Sequence, residues 1–183
     1  MVSYFAREYY TFNLTFSDQD TGNITYMMFS ATFPKAAREL AKEHLAHDHV
    51  RIRVGRAGSS HENIKQTVVY VEQSMKRQAL LDLLFANPPA RTIVFVNSKR
   101  SADELDDYLF NLKLPCTSIH SDRTQRERED ALRAFKNGTT PILVATGVSA
   151  RGLDIRNVMH IINYDLPSAQ YGGIDEYIHR IGM

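Results

Sequence analysis

Residues 141–155 read Pro-Ile-Leu-Val-Ala-Thr-Gly-Val-Ser-Ala-Arg-Gly-Leu-Asp-Ile. Ile142, Leu143, Val144 and Ala145 form an uninterrupted apolar run that stops at Thr146-Gly147. A strand covered on both faces loses the alternation of a half-exposed one, so the run predicts a buried strand in a parallel sheet. Small residues follow, and among them stand Arg151, Gly152 and Asp154. Open α/β sheets bind ligands just beyond the carboxyl ends of their strands. A donor-rich turn with one cation and one anion suits a ligand bearing both phosphate and hydroxyl groups. An ordinary strand–turn with an Arg–Asp surface pair is the alternative.

Outward from this stretch the same alternation recurs. Residues 92–96 predict a buried strand, 117–119 a short one and 158–162 another, while 67–71 are rich in β-branched residues and also read as a strand. Between them lie helical spacings: Ala79, Leu80, Leu83 and Leu84 within 75–85; Ala102, Leu105, Leu109 and Leu112 within 101–112; Ala131, Leu132 and Phe135 within 124–135. A short helix is expected over 176–180. Strands and helices alternating at this interval imply an α/β fold, a parallel sheet with helices on both faces. Upstream, 26–29 predicts a strand running into Ser30-Ala31-Thr32. Pro34 opens a helix to about Ala46, and 50–54 reads as a strand. Gly55, Gly58, Ser59 and Ser60 mark a linker over 56–63. Residues 23–55 are then a strand–helix–strand from one domain, 64–183 a second domain, and 1–22 stay unassigned.

The totals narrow the function classes. In 183 residues, 43% are hydrophobic and 23% charged, and the formal net charge is +1, so affinity for nucleic acid must come from a local patch. Cys116 is the only cysteine, which excludes an internal disulfide and a Cys-based zinc site and points to a reducing compartment. No apolar stretch approaches the ~20 residues that span a membrane. No signal peptide is expected, and the Asn-x-Thr triplets at Asn13 and Asn23 read as chance matches. The phosphate-cradling pattern Gly-x-x-x-x-Gly-Lys-Ser/Thr is absent from the chain. Asp106-Asp107 falls inside a helix and reads as surface charge, and the histidines show no metal-binding spacing.

Three strands of the second domain end in polar residues: Asn97-Ser98-Lys99-Arg100, His120-Ser121-Asp122-Arg123 and Thr146-Gly147. In a parallel sheet all three ends share one edge, and each leads into a helix amino terminus, where backbone N–H groups favour anions. Lys99, Arg100, Arg123, Arg126 and Arg128 add positive charge where the helix dipole disfavours it. Glu127, Glu129 and Asp130 offset much of that charge, and Thr124 with Glu127 fits a capping box. Hydroxyls, guanidinium groups and helix starts along one edge fit a sugar–phosphate backbone better than a small anion. Such an edge is expected to prefer RNA and to read little of its sequence.

Ser30-Ala31-Thr32, the strand 93–100, Gln125-x-x-Arg128, Ala145-Thr146 with Ala150-Arg151-Gly152-Leu153-Asp154, Tyr164-Asp165-Leu166-Pro167 and His179-Arg180-Ile181-Gly182 stand in the order found in DEAD-box RNA helicases. The chain resembles the carboxyl-terminal RecA-like domain of that family, preceded by the end of the amino-terminal one. Within the family it is most similar to the branch acting in translation initiation. The resemblance implies that Ser98, Arg100, Gln125, Arg128, Thr146 and Gly147 approach RNA. It assigns Arg151, Gly152, Asp154 and His179 to the ATP side and gives catalytic roles to Arg180 and, from the first domain, to Ser30 and Thr32. ATP with Mg2+ would be held mainly by the first domain. RNA and translation-initiation factors are the implied partners of a monomer in the cytoplasm, with a nuclear pool also allowed.

The family more often has Thr at position 98, Gly at 121 and Ala or Asp at 147, and residues 169–172 look like a short insertion. After His-Arg-Ile-Gly the family continues Arg-x-Gly-Arg, whose two arginines face the γ-phosphate. Met183 occupies the first of these positions. The resemblance therefore implies a truncated, incomplete second domain, binding RNA weakly and not hydrolysing ATP alone. A non-enzymatic RNA-binding or partner-docking lobe, or a truncated product without function, is the alternative.

Overall fold

In the computed structural model, residues 28–29, 32–33, 35–45, 50–52, 64–87, 90–150, 153 and 155–183 are described. The chain divides into two units, Met1–Ser60 and His61–Met183. In the first, helix α1 spans Lys35–His44 and buries Ala41 against Met28, Phe33 and Leu45. The expected strand at 26–29 has only Met28 and Phe29 among the described residues, and these are not in a strand; neither are the described residues 50–52.

The second unit is built on one parallel sheet. Its strands are β1 (Thr92–Val96), β2 (Cys116–Ile119), β3 (Ile142–Thr146) and β4 (His160–Asn163), in spatial order β2-β3-β1-β4. Thr92 pairs with Ile142 on one side and with His160 on the other, and Cys116 pairs with Ile142 across β3. The helices are α2 (Lys76–Ala86), α3 (Lys99–Asn111), α4 (Gln125–Lys136), the short α5 (Gly147–Ala150) and α6 (Gly173–Ile181).

The two central strands are apolar but for a terminal Thr92 and Thr146, because both their faces are covered. Val94, Val96, Ile142 and Val144 face α2 and α3, meeting Leu80, Leu81, Ala102, Leu105 and Leu109. The alternate residues Ile93, Phe95, Leu143 and Ala145 face the other way, toward Ile119, Phe135 and Ala150. Period-two alternation within each strand thus feeds two separate cores.

The strand expected over 67–71 also fails. Residues 64–72 pair with no strand among the described residues, and Val68 and Tyr70 are 86% and 94% exposed. β-Branched composition favours extended backbone, but a ladder needs a partner. The predicted turn after β3 is instead a helical turn, α5, and the strand expected over 158–162 starts two residues later and ends one later, at His160–Asn163. Residues 169–172 form a short 3-10 helix, Ala169–Tyr171, closed by Gly172 at φ +92°.

Candidate nucleic-acid interface

All four strands are parallel, so their carboxyl ends open on one edge. β1 ends in Asn97-Ser98, β2 in His120, β3 in Thr146 and β4 in Tyr164-Asp165. Three predicted constellations therefore do meet along one side of the sheet.

Ser98 caps α3. Its Oγ accepts the Ser101 N–H at 3.0 Å and lies 2.8 Å from the Ser101 hydroxyl. Lys99 and Arg100 project into solvent, Lys99 pairing with Asp122 at 2.7 Å and Arg100 with Glu104 at 2.8 Å. Lys99 donating to Asp122 holds that carboxyl below its usual range. Thr124 and Glu127 form a complete capping box. The Thr124 N–H donates to Glu127 at 2.7 Å, and this backbone bond, the largest cause, lowers the Glu127 pKa. Arg128 donates to Gln125 at 3.2 Å, while Gln125 donates to Glu129 at 2.8 Å. The Arg128 Nε is buried without a hydrogen-bond partner. Thr146 donates to Ser149 at 3.0 Å.

Two groups of side chains hold this edge in shape, and sequence reasoning missed the parts played by Asp103, Asp106, Ser118, Lys76 and Glu176 in them. His120 is 3% exposed, and its Nε2 lies 2.9 Å from Asp103, which also accepts from Arg123 at 3.1 Å. Arg123 further donates to Ser118, and Ser118 to Asp106 at 2.9 Å. Asp106 is therefore not simply surface charge: with a side chain 21% exposed, it braces the base of β2. Burial, and then Asp106, pushes the neighbouring Cys116 thiol up to about 12.

The second group surrounds Asp165. Its carboxylate pairs with Lys76 and accepts the Asn97 N–H at 3.1 Å. Lys76 also lies 4.2 Å from the centre of the Tyr164 ring. Arg180 is 2% exposed and lies 5.1 Å from the centre of the Phe95 ring. It donates to Glu176 at 3.0 Å, Asn97 at 3.0 Å and the Asp165 carbonyl at 2.7 Å. The resemblance gives Arg180 a catalytic role; in this domain its guanidinium is buried and joins strand ends through these acceptors. Asp165, second past β4 in Tyr-Asp-Leu-Pro, stood in plain view as a carboxylate at a strand end. Glu176 lies one helical turn before Arg180, a spacing that in sequence reads as an ordinary surface pair.

Of the remaining expected residues, His179 is half-buried on α6 and Thr32 is buried in the first unit. Ser30, Arg151, Gly152 and Asp154 lie outside the described residues. Among the described residues no cluster of His, Cys, Asp or Glu could hold a metal ion, and no helix is long and apolar enough to cross a membrane.

A family model described as the helicase conserved C-terminal domain matches residues 75–182. Among solved structures, S. cerevisiae Dbp5 bound to RNA and ADP BeF3 is similar over 84% of this chain and 40% of that one, with 31% identity and a TM-score of 0.73. A DEAD box protein from Methanococcus jannaschii is 35% identical over 84% of this chain and 39% of its own, with a TM-score of 0.61. E. coli DEAD-box protein SrmB, bound to the regulator of ribonuclease activity A, is 36% identical over 58% of this chain and 61% of its own, with a TM-score of 0.51. The chain spans about 40% of the length of the Dbp5 chain it matches. The matched stretch runs from the first turn of the domain through α6 and takes in the whole strand-end edge. The chain belongs to the helicase conserved C-terminal domain family, and the relatives that share its fold are DEAD-box proteins.

Proposed function

We propose that this chain is the second RecA-like lobe of a DEAD-box ATP-dependent RNA helicase, and that its strand-end edge grips an RNA backbone without reading bases. One observation carries the reading. Ser98, Arg128 and Thr146, hydroxyls and a guanidinium that suit phosphate and sugar oxygens, stand along the one edge where a parallel sheet presents ligand sites. The match to Dbp5, a protein seen with RNA and ADP BeF3, supports it. Lys99, Arg100 and Arg128 are each matched to a nearby oxygen acceptor, so a phosphate would compete with Asp122, Glu104 and Gln125 for them. Weak, salt-sensitive binding follows.

In the intact enzyme, closure of two lobes around ATP and RNA would bend one strand and release its partner. The ATP-side residues Arg151, Gly152, Asp154 and His179 belong to this reading through the family resemblance. Work in translation initiation, in the cytoplasm with a nuclear pool and beside initiation factors, is part of the same proposal. The chain alone is expected to bind RNA and to leave ATP unhydrolysed. ATPase turnover and anisotropy with single-stranded RNA test this. RNA-stimulated turnover by this chain alone would overturn the division of labour, and no RNA binding at low salt would overturn the role of the edge.

A further inference from the structure

Glu176 sits in a slot walled by two glycines. A Cβ placed on Gly147 would come within 2.5 Å of the Glu176 Cδ and 3.2 Å of its Oε2, and closer still to Oε1. A Cβ on Gly172 would meet the Glu176 Cβ at 2.9 Å. The carboxylate is 3% exposed at the residue level and takes the Arg180 Nε–H at 3.0 Å. Arg180 in turn reaches Asn97 after β1 and the Asp165 carbonyl after β4. Gly147 is the residue at which β3 becomes α5. Three strand ends thus converge on one buried acid and its cation.

Resting on the RNA-binding reading above, we infer that Glu176 is a positioning residue for that edge. Its carboxylate fills the space that a side chain at position 147 would need. It thereby sets how closely the end of β3, with Thr146, lies against α6, the helix that carries His179. Gly147 and Glu176 are a size-matched pair: lengthening either alone forces the other out. Displacing the carboxylate also removes the partner of a guanidinium that has no route to water. The strand end that would face RNA and the helix that would face the nucleotide are in this way set against each other by one side chain.

The test is a cycle in the full chain: Gly147→Ala, Glu176→Asp and both together. Aspartate keeps the charge and withdraws it by one carbon–carbon bond, about 1.5 Å, which makes room for the alanine. Affinity for a short fluorescent oligouridylate is measured under conditions where each variant is folded, beside urea unfolding. Gly147→Ala alone is expected to weaken binding about tenfold, within the coupling range for residues in contact. The double variant is expected to return to within about threefold of the parent. If Gly147→Ala alone does not fold, recovery of cooperative unfolding in the double variant is the supporting result. Effects that simply add, or a Gly147→Ala chain indistinguishable from the parent, overturn the pairing. A parent chain that binds no oligouridylate sinks the RNA reading instead, and the unfolding midpoints then decide the pairing on their own.

Discussion

Arg180 donates to the Asp165 main-chain carbonyl at 2.7 Å, joining the last turns of α6 to the chain just beyond β4. The same guanidinium reaches Glu176 and Asn97, so a single buried cation gathers segments that follow two different strands.

Arg180→Met keeps most of the volume and removes the charge. It takes the Arg180 guanidinium away from the buried Glu176 carboxylate, and breaking a buried ion pair costs about 3–5 kcal/mol. Urea denaturation should show a lower midpoint with an unchanged slope. A loss below about 1 kcal/mol, the range of exposed pairs, would show that the interior does not rely on this pair.

Arg128→Ala addresses the RNA edge directly. If Arg128 neutralises a phosphate, affinity should fall by a similar factor for every single-stranded sequence. The slope of log affinity against log salt should shrink by about 0.7. A loss confined to particular sequences would contradict backbone recognition.

Acid should loosen the start of α4 before the core. The Glu127 pKa is depressed chiefly by the Thr124 N–H bond, so its contribution is present above the ordinary value of 4.5 and is lost as the pH falls through the folded pKa. Amide exchange at the start of α4 should accelerate over that interval. Thr124→Ala removes the side-chain half of the box, costs about 1 kcal/mol and should flatten the acid dependence.

Cys116 should be slow to alkylate in the folded chain. Its pKa is raised to about 12 by burial and then by Asp106, so almost none is thiolate at pH 8. Iodoacetamide should label it readily in urea and sluggishly without. Because the folded pKa lies above the ordinary value of 9.0, the group's contribution is complete below pH 9 and declines as the pH rises from there toward 12. Rapid labelling of the native chain at pH 8 would contradict this.

The sheet was legible because its central strands are apolar without interruption. Residues 92–96 were expected as a strand, and Thr92–Val96 is β1. Polar residues directly after such strands also marked the ligand edge, and the Thr124–Glu127 box was visible as a spacing. Residues 67–71 misled because extended backbone is a local property while pairing is not. Asp106 and Glu176 were hidden for a related reason. A charged residue on an amphipathic helix looks solvated until the tertiary fold brings Ser118, or Gly147, against it.

The position of β1 in the middle of the sheet bears on the order in which the domain assembles. It is the first strand made, yet both of its neighbours come later, at Ile142–Thr146 and His160–Asn163. Until those segments arrive, Thr92–Val96 is a bare apolar ribbon with unpaired backbone on both sides. Only β2 and β3 can pair across a single intervening helix, so they offer the nearest available nucleus. Long-range parallel pairing is slow, and a newly made chain carries its most aggregation-prone segment longest uncovered. Among the described strands, closing the sheet waits on β3 and β4 reaching β1.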